Sequence, residues 1–186
     1  VDWLKKSKGL DPDYSTLLDQ LAKTPSERRA VLAGYIEASD EDRAEGRKLP
    51  TAAHRAIAQM VRSGYVRVIV TTNFDRLLEI ALRDVGIEPT VITTDDAAKG
   101  AEPITHARCT IIKVHGDYLD TRIKNTEQEL ITYTPELNAL LDRVFDEFGL
   151  IVSGWSATWD PALRDSITRN VSRRYSHYWA CRGEPT

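Results

Sequence analysis

Three short polar clusters in this sequence carry residue types that could do chemistry: Thr72-Asn73-Phe74-Asp75, Lys113-Val114-His115-Gly116-Asp117 and Ser153-Gly154-Trp155-Ser156. Asn73 and Asp75 flank a phenylalanine and together supply more polar groups than one helix cap requires. A histidine such as His115 titrates near neutrality and can act as a base. A Gly-X-Ser turn after a strand, as at Gly154 to Ser156, lets backbone N–H groups approach a ribose or a phosphate. Each cluster also has a plainer reading. Asn73 or Asp75 can cap the next helix, His115 can be a satisfied structural histidine, Gly154 a turn glycine, and Ser156 a loop residue held between Trp155 and Trp159 by aromatic packing. Singly, these alternatives stay open; three such clusters at three strand ends point to a ligand site.

The elements that must position them follow from hydrophobic pattern. Val66-Arg67-Val68-Ile69-Val70-Thr71 is a β-branched run too short for a helix and too apolar for a surface loop, so it reads as a buried strand. Cys109 to Val114 and Gly149 to Ser153 repeat that pattern, while residues 89–93 and 177–181 are weaker strand candidates. Leu77 to Gly86 and the segment opened by Thr134-Pro135-Glu136 have helical spacing, the second carrying Leu137, Leu140, Leu141, Val144, Phe145 and Phe148 on one face. Asp160-Pro161 caps a further helix. Strands alternating with helices predict an α/β fold, a Rossmann-like parallel sheet with helices on both faces, and in such sheets ligands sit beyond the carboxyl ends of the strands.

Ahead of the sheet, the first 65 residues read as mainly helical. Thr24-Pro25-Ser26-Glu27 is a capping box opening a helix through Val31, Leu32, Tyr35 and Ile36. Residues 40–48 form a charged loop or a polar helix end, and another helix runs from about Thr51 through Ile57, Met60 and Val61 to Gly64. The expected organisation is therefore a helical insertion or subdomain over 1–65 and a sheet core over 66–186 carrying the three clusters.

Composition narrows the function classes. The 186 residues are 41% hydrophobic and 28% charged, ordinary for a soluble globular chain. A net charge of −3 argues against a mainly electrostatic nucleic-acid binder, and the basic pairs Lys5-Lys6, Arg28-Arg29 and Arg173-Arg174 suit solvated faces. No run reaches the roughly 20 apolar residues of a membrane span. Two cysteines, Cys109 and Cys181, suit thiols in a reducing compartment, which predicts the cytoplasm, and cannot build a four-cysteine zinc site.

In order and spacing, Thr71 to Glu79, Lys113 to Tyr118, and Gly149 to Ser156 with Asp160 resemble the successive motifs of sirtuin-like domains, over roughly Tyr14 to Trp179. They look most like the bacterial branch that degrades NAD in anti-phage defence. The resemblance implies NAD as substrate, lying over the strand ends, with no metal. It sets Thr72, Asn73, Asp75, Gly154, Trp155, Ser156 and Asp160 against NAD. Asn73 and Asp75 match the family's Asn-X-Asp at the nicotinamide and its ribose; Gly154 and Ser156 match the Gly-X-Ser loop near the adenosine. His115 and Asn73 become the catalytic pair, His115 matching the histidine that acts on the ribose hydroxyls or orders the attacking water. A homo-oligomer or further domains of the same chain, with no nucleic-acid or membrane partner, completes the expectation.

Departures from the wider family carry information. Protein-deacylating sirtuins have Gln where this chain has Thr72, and usually a zinc module, so NAD hydrolysis is favoured over lysine deacylation. The family's first strand and Gly-Ala-Gly-type phosphate loop would precede Val1; the chain has no initial methionine, and its single one is Met60. Weak NAD binding by residues 1–186 alone is the corresponding expectation. A non-catalytic nucleotide-binding or assembly module is the main rival. A lesser one is a two-metal phosphoesterase, suggested by Gly116-Asp117-Tyr118-Leu119-Asp120 but lacking the Asp-X-His and Gly-Asn-His that should flank it.

Overall fold

A computed structural model describes residues 24–120, 131–158, 160–170, 172 and 174–180. Lys5-Lys6, Tyr14, Trp159, Arg173 and Cys181, all named above, lie outside the described residues, as does the first part of the expected helical region. The chain forms two compact units, Val1–Thr126 and Glu127–Thr186, so the sheet expected over 66–186 is divided between them.

In the first unit, helix α1 (Pro25–Ile36) begins at the expected capping box. The Thr24 hydroxyl accepts from the Glu27 amide at 3.2 Å, and the Glu27 carboxylate accepts from the Thr24 amide at 2.9 Å. Only Leu32 of its anticipated apolar face is fully buried; Tyr35 is exposed. The charged stretch that follows is a short helix, α2 (Asp40–Ala44), with a Ser39–Asp42 capping box and then turns. Asp42 gathers Arg47 and Lys48 as well as Ser39, and the Arg47 guanidinium above all holds its carboxyl well below the usual carboxylate range.

Helix α3 (Ala52–Arg62) leads into strand β1 (Val68–Thr71), followed by α4 (Leu77–Asp84), β2 (Thr90–Ile92), α5 (Asp95–Gly100) and β3 (Thr110–Lys113). The six residues of α5, capped by Thr94, were not anticipated, because Asp-Asp-Ala-Ala-Lys-Gly has no apolar face to produce helical periodicity. The sheet is parallel, in the order β1-β3-β2, with Val68 opposite Thr110, Thr71 opposite Lys113, and Thr90 opposite Thr110. All four residues of the central strand β3 are buried, as expected where helices flank a parallel sheet. Ala58 and Val61 of α3 share one core with Leu78, Ala81 and Leu82 of α4 and Ile111 of β3. Helix α3 therefore packs into the same core as the sheet.

In the second unit, α6 (Pro135–Glu147) buries Leu137, Leu141, Val144 and Phe145, with Leu140 and Phe148 half-buried. It precedes β4 (Leu150–Ser153), α7 (Pro161–Arg169) and β5 (His177–Ala180). β4 and β5 pair in parallel, Leu150 opposite His177 and Ser153 opposite Ala180. Arg169 of α7 donates to Asp142 of α6 at 2.7 Å and to Asn138 at 2.9 Å, tying the two helices together.

Candidate functional site

β1 and β3 are neighbours and run parallel, so their two polar loops leave the sheet side by side at its carboxyl end. Main-chain bonds stitch the loops together: the Val114 amide donates to the Thr71 carbonyl at 3.1 Å and the Tyr118 amide to the Phe74 carbonyl at 3.2 Å. The Phe74 and His115 rings lie 6.1 Å apart at 42°. The structure thus brings Thr72, Asn73, Asp75 and His115 together. His115 is buried, Thr72 and Asp75 half-buried, and Asn73 exposed, its side-chain amide bonded to none of the described residues. Asp75 does serve as a cap: its carboxylate accepts from the Leu77 amide at 2.9 Å. After His115 the chain turns through Gly116 at φ +91°, a conformation that costs a residue with a Cβ but not glycine.

Beneath the loops sits a buried charge cluster whose chemical role the sequence reading missed. The Lys113 ammonium, with its side chain 1% exposed, meets the Glu79 carboxylate at 2.7 Å, the Asp117 carboxylate at 2.9 Å and the Asp75 main-chain carbonyl at 2.5 Å. Arg76, nearer solvent, donates its Nε to the Asp117 oxygens at 2.9 and 3.2 Å. Burial by itself would raise the Asp117 carboxyl; the Leu119 amide, Lys113 and Arg76 override it and hold the group below its ordinary value. One Glu79 oxygen is buried with no hydrogen-bond partner among the described residues. The signal was present in the sequence: a lysine closing the buried run Thr110-Ile111-Ile112 must be paired, because lysine is almost never fully buried otherwise.

The same cluster holds Asp117: its carboxylate accepts from Lys113, Arg76 and the Leu119 amide and so staples the loop. Burial, and then the acidic Glu37 at the end of α1, raise the pKa of Tyr118, next along the loop. At the start of β3, burial pushes the Cys109 thiol up to about 11, leaving it a packing residue rather than a nucleophile.

The remaining sequence candidates belong to the second unit. Gly154 leaves β4 with φ +72°, and Ala157 follows at φ +59°. Between them Ser156 is exposed, and its hydroxyl accepts from the Thr158 amide at 3.4 Å. Trp155 stacks on Trp179 of β5, the centroids 5.6 Å apart at 23°. Asp160, 1% exposed, caps α7 by accepting from the Leu163 amide at 2.8 Å and receives the Tyr133 hydroxyl at 2.5 Å. Burial, and then Asp160, push the Tyr133 hydroxyl far above its usual range, so it remains a proton donor. The fold thus employs Asp160 as a buried cap, while Gly154 and Ser156 stand at the surface.

A parallel α/β sheet with polar loops gathered at the carboxyl ends of adjacent strands is the place where open α/β domains bind their ligands. The SIR2-like domain family matches the chain over residues 67–185, well over half its length, and the chain belongs to that family. It is a sirtuin-like domain of the kind that uses NAD. None of the curated proteins compared with the chain matches it. Among the described residues, no helix is long and apolar enough to cross a membrane, and no group of three or more His, Cys, Asp and Glu side chains is placed to hold a metal ion.

Proposed function

We propose that this domain hydrolyses NAD to nicotinamide and ADP-ribose, with Asn73 and His115 as the essential pair. The observation that carries the proposal is the adjacency of the β1 and β3 loops, which sets the exposed Asn73 amide beside the loop of His115 at the sheet's carboxyl end. In the reaction the bond between the ribose anomeric carbon and the nicotinamide nitrogen breaks, and its electron pair leaves with nicotinamide. Water oxygen bonds to the same carbon through an oxocarbenium-like state, and a water proton passes to His115 or to solvent. Such a step depends on a positioned leaving group and oriented dipoles more than on a strong nucleophile. Asp75 would complete the nicotinamide-ribose side.

Thr72 in place of the deacylase glutamine supports hydrolysis over lysine deacylation. The motif resemblance supports a role in bacterial anti-phage defence, and the two cysteines support a reducing compartment, the cytoplasm. The test is nicotinamide release from NAD by the full-length protein. His115→Ala and Asn73→Ala, shown to be folded, are each expected to lower turnover by about 100-fold or more. Turnover near wild type in either variant overturns the assignment, and NAD binding without release would favour a nucleotide-binding assembly module instead.

A further inference from the structure

We infer that Lys113 is the positioning residue that sets Asn73 and His115 in register, an inference that rests on the NAD-hydrolysing reading of this site. An ammonium has three N–H donors, and Lys113 meets three acceptors: the Asp75 carbonyl, a Glu79 oxygen and an Asp117 oxygen. They come from three segments: the loop after β1, helix α4 and the loop after β3. The spacing is symmetrical, because Asn73 stands two residues before Asp75 and His115 two residues before Asp117. One buried cation therefore grips both loops at the same remove from the two groups that must act together.

The cluster is arranged to be held from within. Lys113 and Glu79 are sealed from water, at 1% and 3% side-chain exposure, and the network reaches solvent through the half-exposed Arg76. Low local dielectric strengthens the ammonium's hold on its acceptors, whereas the Arg76 contact is weakened by water and salt. Lys113 lies below the loops and need not touch the nucleotide; it acts through Asn73 and His115.

Lys113→Met alone leaves the buried Glu79 carboxylate without its cation and Asp117 with Arg76 alone, and is expected to unfold readily, so the paired variant Lys113→Met/Glu79→Gln carries the test. It removes one charge of each sign and leaves Asp117 with Arg76. In the full-length protein, the folded paired variant is expected to lose about 100-fold in kcat for nicotinamide release while KM for NAD stays within about threefold. The His115 ring resonances in NMR spectra, assigned with His115→Gln, are expected to move. A purely structural role would lower melting temperature and leave the kcat of the folded fraction unchanged. Wild-type kcat or unmoved His115 resonances in the folded paired variant overturn the inference. Arg76→Gln supplies a second check, with an expected loss of about threefold at most because Arg76 is half-exposed and Asp117 keeps Lys113 and the Leu119 amide; a loss equal to that of the paired variant overturns the assignment to Lys113. If wild-type protein releases no nicotinamide, the proposed function fails, and the His115 resonances then decide the positioning inference by themselves.

Discussion

The loops after β1 and β3 and the loop after β4 end the same kind of strand in opposite ways. In the first pair, buried charges bridge residues far apart in sequence: Lys113 reaches back to Asp75 and Glu79, and Arg76 reaches forward to Asp117. After β4, among the described residues, the loop's hydrogen bonds are local, Ser156 with Thr158, and the backbone bends through Gly154 and Ala157 at positive φ, with a Trp155–Trp179 stack beside it. Long-range tethering suits groups whose mutual placement decides a reaction. Local turn chemistry suits a loop that shapes itself to a ligand through backbone and hydroxyl groups. The difference predicts that the β1/β3 end is costly to perturb and the β4 end tolerant.

The largest expected effect is on stability at Lys113. Lys113→Met should cost about 3–5 kcal/mol in urea unfolding, since removing one partner leaves buried charge uncompensated, and adding Glu79→Gln should return part of that loss. A loss below about 1 kcal/mol, the range of an exposed ion pair, would erase the contrast between the two ends. Tyr133→Phe comes next. It removes the donor to a buried, capping carboxylate in the second unit, and a loss of about 1–3 kcal/mol is expected in the same measurement. A loss matching that of Lys113→Met would show that the second unit holds an equally critical buried charge, at the base of α7 rather than in the β4 loop. The smallest effect is at the exposed Ser156: Ser156→Ala should change unfolding free energy by no more than about 0.5 kcal/mol. Weaker NAD binding by calorimetry in that variant, without loss of stability, would sharpen the view of the β4 loop as a ligand surface. Destabilisation comparable to Tyr133→Phe would break it.

Much of this was legible beforehand because the relevant signals are local. The strands Val68–Thr71, Thr110–Lys113 and Leu150–Ser153 follow from β-branched runs, and the starts of α1, α6 and α7 from Thr24, Thr134 and Asp160 before proline. Helix α5 escaped notice because it is polar all round and only six residues long. The exposure of Tyr35 was equally invisible, since helical spacing identifies a possible apolar face but not whether a neighbour covers it.

Within the candidate site, the division follows the same physics. Asn73, Asp75, His115, Gly154 and Ser156 could be singled out by residue type and by their places after strands. That Asp75 also caps α4, that Asp160 is sealed beneath Tyr133, and that Asp117 staples a loop are facts about partners 2 to 41 residues away. By itself the sequence determined the alternation of strands and helices, the family motifs and the chemical types at each strand end, because those depend on neighbours along the chain. Tertiary structure alone decided that β3 lies between β1 and β2, and hence that Lys113 meets Asp75, Glu79 and Asp117. Strand order is chosen by burial of whole faces, and a buried ammonium must find its oxygens wherever that packing brings them.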